Sequence, residues 1–136
     1  MDFGIGQPVL RKEDFRLLTG QGDFSDDLNL DGQAHAHLLR SPHAHADING
    51  IDISAAQDMP GVMAILTGAD YEADGLGPVK GGMPLKRRDG SPMFRPPRPA
   101  LVRDRVRPVG PSVALIVAAT VNQAKDAAAA IIVDYG

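Results

Sequence analysis

The sequence predicts an α+β fold, a mixed sheet with a strand–helix–strand unit near the C-terminus. Three observations predict it. Val113 to Ala118 is a continuous apolar run of strand length. Thr120-Val-Asn-Gln123 has the spacing of a capping box and opens a stretch through Ala130 that is rich in alanine, the best helix former. Ile131 to Asp134 then reads as another short strand.

The remaining elements follow in chain order. Residues 1–12 are irregular and extended, punctuated by Gly4, Gly6 and Pro8. Glu13 to Thr19 suits a short helix, with Glu13 and Asp14 at its positive end and Gly20 as its stop. Residues 21–32 are turn-rich, so residues 1–32 form an arm with a short helix and 33–136 form the main domain. Gln33 to Arg40 suits a strand ending at Ser41-Pro42, and residues 46–53 alternate around Ile48, Ile51 and Ile53. Ser54-Ala-Ala-Gln57 has capping-box spacing before a helix of about one turn, stopped by Asp58-Met59-Pro60-Gly61. Val62 to Leu66 is a short strand. Tyr71 to Pro99, loaded with glycine and proline, is too long for an ordinary loop and predicts a functional arm or a segment ordered from outside.

The chain has 136 residues, 43% hydrophobic and 23% charged, with net charge −3. Folding such a length removes roughly two thirds of the unfolded surface from water, enough for one core. With no cysteine, disulfides, thiolate zinc sites, iron–sulfur clusters and a cysteine nucleophile are excluded within the chain. No apolar run reaches the roughly 18 residues that span a bilayer. The opening Met-Asp-Phe-Gly-Ile-Gly-Gln-Pro has neither a basic nor an apolar leader region, so a cytoplasmic protein is expected.

Charge is segregated. Residues 1–79 carry −9, residues 80–107 carry +7 and the remainder −1. A basic segment on an acidic body points to nucleic acid, an acidic partner or its own acidic part. Phe94 is the one aromatic in the basic stretch, so stacking platforms for bases are missing and protein docking is the better reading.

The histidines form two His-x-His pairs, His35/His37 and His43/His45. On a strand, residues two apart share a face with Cα atoms roughly 6.6 Å apart, close enough for two imidazoles to meet one metal. Against this, Pro42 breaks any single strand carrying all four, and half-buried histidines bonded to the backbone explain the pattern. Glu13-Asp14 and Asp26-Asp27 are adjacent pairs whose side chains point apart, so neither makes an acid/base dyad. Gly4-Ile-Gly6 and Gly20-Gln-Gly22 lack the third glycine of a dinucleotide loop, and no phosphate-binding loop, nucleophile elbow or His-Glu-x-x-His is present. The residues by themselves supply no catalytic, cofactor-binding or metal-binding set, and read as a scaffold or docking domain.

Several blocks, taken in order, resemble one family. They are Gly6 to Asp27, Arg40-Ser-Pro-His-Ala-His-Ala46, Met59-Pro-Gly-Val62 with Thr67-Gly-Ala-Asp70, and Arg98-Pro-Ala-Leu101. Val106-Arg107, Val109-Gly110, Val113-Ala-Leu115, Thr120, Gln123-Ala-Lys-Asp-Ala127 and Val133-Asp-Tyr135 complete them. Together they resemble the start of molybdenum hydroxylase large subunits: xanthine dehydrogenases, aldehyde oxidases and aerobic carbon monoxide dehydrogenases.

That resemblance implies an α/β-hammerhead domain preceding molybdopterin-binding domains, in an oxidoreductase that hydroxylates a carbon centre or oxidises carbon monoxide with oxygen from water. It places the molybdenum cofactor and the catalytic glutamate in later parts of the subunit, and FeS and FAD in partner subunits or domains. Glu13 and Glu72, the glutamates available, match no motif for that base. Where the family has an aromatic, Pro108 stands, and both Pro108 and Pro111 should sit at a strand end or edge. The chain by itself is therefore expected to be catalytically silent, with 71–99 docking onto the rest of the subunit or a partner, and with neither nucleic acid nor membrane as partner. Two rivals remain: a metal- or ligand-binding module built on His35, His37, His43 and His45, and a non-enzymatic assembly protein binding through Arg87, Arg88 and Arg95.

Overall fold

A computed structural model of the chain describes residues 6, 8, 10–83 and 85–136. The extended opening expected at 1–5, 7 and 9, Gly4 included, lies outside them. The chain divides into two compact units, Met1–Gln33 and Ala34–Gly136.

In the first unit, α1 (Asp14–Leu18) carries Asp14 in its first turn, where a carboxylate meets the positive end of the helix. It ends as glycine dictates: Gly20 adopts φ +71°, and the Gln21 amide reaches back to the Arg16 carbonyl at 2.9 Å. A single 3-10 turn, Ser25–Asp27, follows, with the Asp27 carboxylate accepting from the Phe24 amide at 3.1 Å.

The second unit contains β1 (His35–Arg40), β2 (Ala46–Asp52), α2 (Ser54–Gln57), β3 (Val62–Thr67) and α3 (Gly68–Ala73). After a long arm come β4 (Arg105–Val106), β5 (Ser112–Ala118), α4 (Val121–Ala130) and β6 (Ile132–Tyr135). The α+β class is as expected, but the mixed sheet is corrected. The strands form two three-stranded sheets, β1-β5-β3 and β4-β2-β6, and every pair among the described residues is antiparallel. The reason is the destination of the strand–helix–strand unit. β5 lies in the first sheet and β6 in the second, so α4 carries the chain from one sheet to the other, and the parallel pair such a unit makes within one sheet never forms.

The main core is where α4 covers the first sheet. Ala124, Ala127 and Ala128, at i, i+3 and i+4, form one helical stripe buried against Ala114, Ile116 and Ala118 of β5 and against Ala56. The inner face of the helix thus presents methyl groups to the sheet. A second cluster joins Ala46, Val106 and Val113. Val113 is released to it by a register shift: Leu39 pairs with Ala114 and Arg40 with Ser112, leaving Val113 unpaired in the ladder. Pro111 stands immediately before β5, where a missing N–H costs no ladder bond.

One expected helix cap forms and two other helix starts differ from expectation. At Thr120 the hydroxyl caps α4 by accepting from the Gln123 amide at 3.2 Å. Ser54 does not cap α2; the position before the helix is Ile53, and the Ser54 amide donates to Asp52 Oδ1 at 2.9 Å. Asp52 already takes the turn, so the serine starts one residue inside the helix. A cap not expected from the sequence operates at Thr67-Gly-Ala-Asp70, where Asp70 Oδ2 accepts from the Thr67 amide and hydroxyl, each at 2.7 Å. These bonds hold the Asp70 carboxyl below its ordinary range. The resulting α3 takes the first residues of the stretch expected to be loop from Tyr71.

Candidate docking interface

The chain leaves α3 at Gly75 and re-enters the sheets at Arg105, and the intervening arm is a long irregular hairpin. Gly75 turns the chain with φ +70°, and the Tyr71 hydroxyl donates to the Gly77 carbonyl at 2.6 Å, pinning the outgoing limb. The limbs meet at few places: the Val79 amide donates to the Arg98 carbonyl at 2.8 Å, and the Met93 amide to Leu85 at 3.2 Å. Pro78, Pro92, Pro96, Pro97 and Pro99 lack donors, which prevents a regular ladder. At the tip, the Arg87 amide bonds the Ser91 carbonyl at 2.8 Å. The Asp89 carboxylate accepts from the Ser91 amide and hydroxyl at 2.9 and 2.6 Å, which lowers its pKa.

The root is tied by ion pairs. Arg103 Nη1 lies 2.5 Å from Glu72 Oε2, and this bond raises the pKa of the guanidinium. Arg105 grips Asp47 through both carboxylate oxygens, with Nη2 to Oδ2 at 2.7 Å. That contact raises the Arg105 pKa and holds the Asp47 carboxyl below its ordinary range. Beyond the root the cations are free: within the second unit, among the described residues, Lys80, Lys86, Arg87, Arg88, Arg95 and Arg98 form no ion pair. Arg95 instead donates to the Met83 carbonyl. Between the limbs lies an open cavity of about 600 Å³ that Met83, Met93 and Phe94 help to line.

The other singled-out residues are scattered. His35 and His37 are half-buried on one face of β1. His43 and His45 are exposed on the segment leading to β2 in the other sheet, with the His43 ring against Tyr135 at a centroid distance of 4.5 Å and a tilt of 54°. The two pairs are not brought together, and no group of three or more metal-ligating side chains converges among the described residues. Glu13 precedes α1, Asp14 pairs with Arg11 at 3.6 Å, and Glu72 is taken by Arg103. The sequence reading missed the Arg105–Asp47 and Arg103–Glu72 pairs, whose partners are far apart in the chain. The cap at Thr67-Gly-Ala-Asp70 is encoded by local spacing that could have revealed it.

Two antiparallel sheets bridged by a strand–helix–strand crossover, with the long arm inserted between α3 and β4, define an α/β-hammerhead domain. Residues 19–136 match the family described as "Aldehyde oxidase and xanthine dehydrogenase, a/b hammerhead domain". The chain belongs to that family. It is 46% identical over 123 residues to the nicotine 6-hydroxylase large subunit of Paenarthrobacter nicotinovorans, covering 90% of this chain and 14% of that protein. The solved quinoline 2-oxidoreductase of Pseudomonas putida 86 superposes with a TM-score of 0.81 at 41% identity, over 97% of this chain and 16% of that one. The Cu,Mo-CO dehydrogenase gives a TM-score of 0.75 at 34% identity, over 97% of this chain and 15% of that one. The chain thus spans about a seventh to a sixth of the length of these three relatives. Another relative, 29% identical, is the nicotinate dehydrogenase large molybdopterin subunit of Eubacterium barkeri.

The described residues do not gather into a site of the kind a molybdopterin would need. Holding that anionic, many-armed cofactor calls for a converging set of buried donors, and among the described residues no buried side-chain N or O lacks a partner. The free cations stand on the exposed arm, and those that line its cavity face open solvent.

Proposed function

We propose that this domain is a structural and docking element of a molybdenum hydroxylase large subunit, with catalysis in molybdopterin-binding segments outside these residues. The carrying observation is the arm: tied at its root through Glu72 and Tyr71, yet exposed and cationic along its length. The domain fixes where the arm starts, and the arm's free side chains dock onto the rest of the subunit or onto FeS- and FAD-bearing partners. Relatives named as a large subunit and as a dehydrogenase complex subunit support an assembly of this kind.

The substrate class belongs to the same proposal. Nicotine and quinoline, named in the relatives at 46% and 41% identity, both contain an aromatic ring with nitrogen. This supports hydroxylation of a carbon in a nitrogen heterocycle ahead of oxidation of carbon monoxide.

The test replaces residues 76–100 in the natural large subunit with a short glycine–serine link. Subunit assembly is followed by sizing and molybdenum by elemental mass spectrometry, with the 136-residue chain measured alongside. Lost assembly, with molybdenum in the natural subunit and none in the short chain, is expected. Unchanged assembly without the arm, or stoichiometric molybdenum in the short chain, would overturn the reading.

A further inference from the structure

We infer that the cavity between the arm's limbs is a groove for an acidic polypeptide segment carrying apolar anchors, supplied by another part of the enzyme assembly. The inference rests on the docking reading above and gives the partner its chemistry.

Two properties coincide in this cavity of about 600 Å³. Its walls include Val79, Met83 and Phe94, which are 61%, 71% and 71% exposed. Apolar side chains so exposed and so grouped mark a surface that a partner covers. Methionine, unbranched and polarizable, adapts to what it meets. Interleaved with them are Lys80, Arg95 and Arg98, which also line the cavity. Arg95 donates to the Met83 carbonyl, which brings its guanidinium beside the cavity.

Competing anions are absent from the groove. In residues 75–102 the one carboxylate is Asp89, which stands at the tip and is occupied by Ser91. A segment that pushes leucine or phenylalanine between the limbs excludes water there. Its flanking carboxylates then meet guanidinium groups in charge-assisted hydrogen bonds, stronger than those at an open surface. A nucleic acid also offers negative charge, but Phe94 alone gives no series of stacking platforms.

A fluorescent synthetic peptide of aspartate, glutamate, leucine and phenylalanine is titrated against the chain. The controls are the same peptide with serine at each anchor and a DNA duplex. The anchored acidic peptide is expected to bind, and the Lys80→Glu/Arg95→Glu/Arg98→Glu variant to weaken it by about tenfold or more. Phe94→Ser is expected to weaken the anchored peptide and leave the serine control unchanged. Because these side chains are exposed, thermal unfolding should stay near that of the unaltered chain, which shows that the fold is kept. Equal binding of the two peptides, or equal binding of the duplex, would overturn the groove. The same charge reversal is placed in the natural large subunit beside the arm replacement. If the replacement abolishes assembly and the charge reversal leaves it intact, the groove fails and the docking reading stands. If neither disturbs assembly, both fail.

Discussion

Arg105 and Asp47 stand opposite each other in the register of β4 and β2, and the guanidinium grips both oxygens of the carboxylate. β4 has only two residues, so this side-chain fork adds to a very short ladder at the point where the arm returns to the domain.

The pair predicts a pH dependence. Arg105 lowers the Asp47 pKa from its ordinary 3.8, so the folded state holds this proton less tightly than the unfolded one. The stabilisation is therefore present above that value and lost as pH falls through the lowered folded pKa. Arg105→Gln is expected to lower the thermal midpoint slightly at pH 7, and the gap from the unaltered chain is expected to close as the solution is acidified below about pH 4. A gap that persists unchanged at low pH would remove the ion pair as its cause.

Gly68 sets how closely the returning limb passes α3. A Cβ there would stand 2.7 Å from main-chain atoms of Val102 and Arg103, which cannot swing aside as a side chain can. Gly68→Ala is expected to cost about 1–3 kcal/mol in urea unfolding. Gly81, with nothing near its Cβ position, should accept alanine without such a loss.

The core prediction contrasts two apolar positions. Ile116 is fully buried against α4, whereas Met63 is 60% exposed. Ile116→Ala is expected to destabilise by about 2–5 kcal/mol. Met63→Ala should stay within about 0.5 kcal/mol. Denaturant midpoints with a shared slope decide it, and comparable losses would mean that Met63 is covered in solution.

Helix caps give a third contrast. Thr120→Ala removes the hydroxyl that accepts from the Gln123 amide and is expected to cost about 1 kcal/mol. Ser54 is not the cap of α2, so Ser54→Ala should cost less. Equal losses in chemical unfolding would return Ser54 to a capping role.

The uncovered face of the first sheet predicts behaviour of the isolated chain. Leu38 and Leu66 both pair with Leu115, on the face opposite the core residues Ala114 and Ile116, and remain 37% and 40% exposed. A hydrophobic dye should bind the short chain and lose intensity with Leu38→Ser/Leu66→Ser. No dye binding by the unaltered chain would show that this face is closed.

Local order determined a good part of this protein. The Val113–Ala118 strand, the Thr120 cap with its alanine helix and the glycine stop at Gly20 depend on neighbours a few residues apart, and spacing reveals such contacts. The hammerhead family was legible in the same way, because its blocks keep their order along the chain. Tertiary structure alone decided that β5 and β6 lie in different sheets, since the length of a crossover does not say where it lands. It also decided that Val113 leaves the first core for the second, because a bulge is a mismatch between two strands rather than a property of one. The arm shows the division most clearly. Its prolines and cations announced a segment unlike the rest, but the charges at its root are set by Asp47 and Glu72, tens of residues upstream of their arginines, and only folding brings those partners within hydrogen-bond reach.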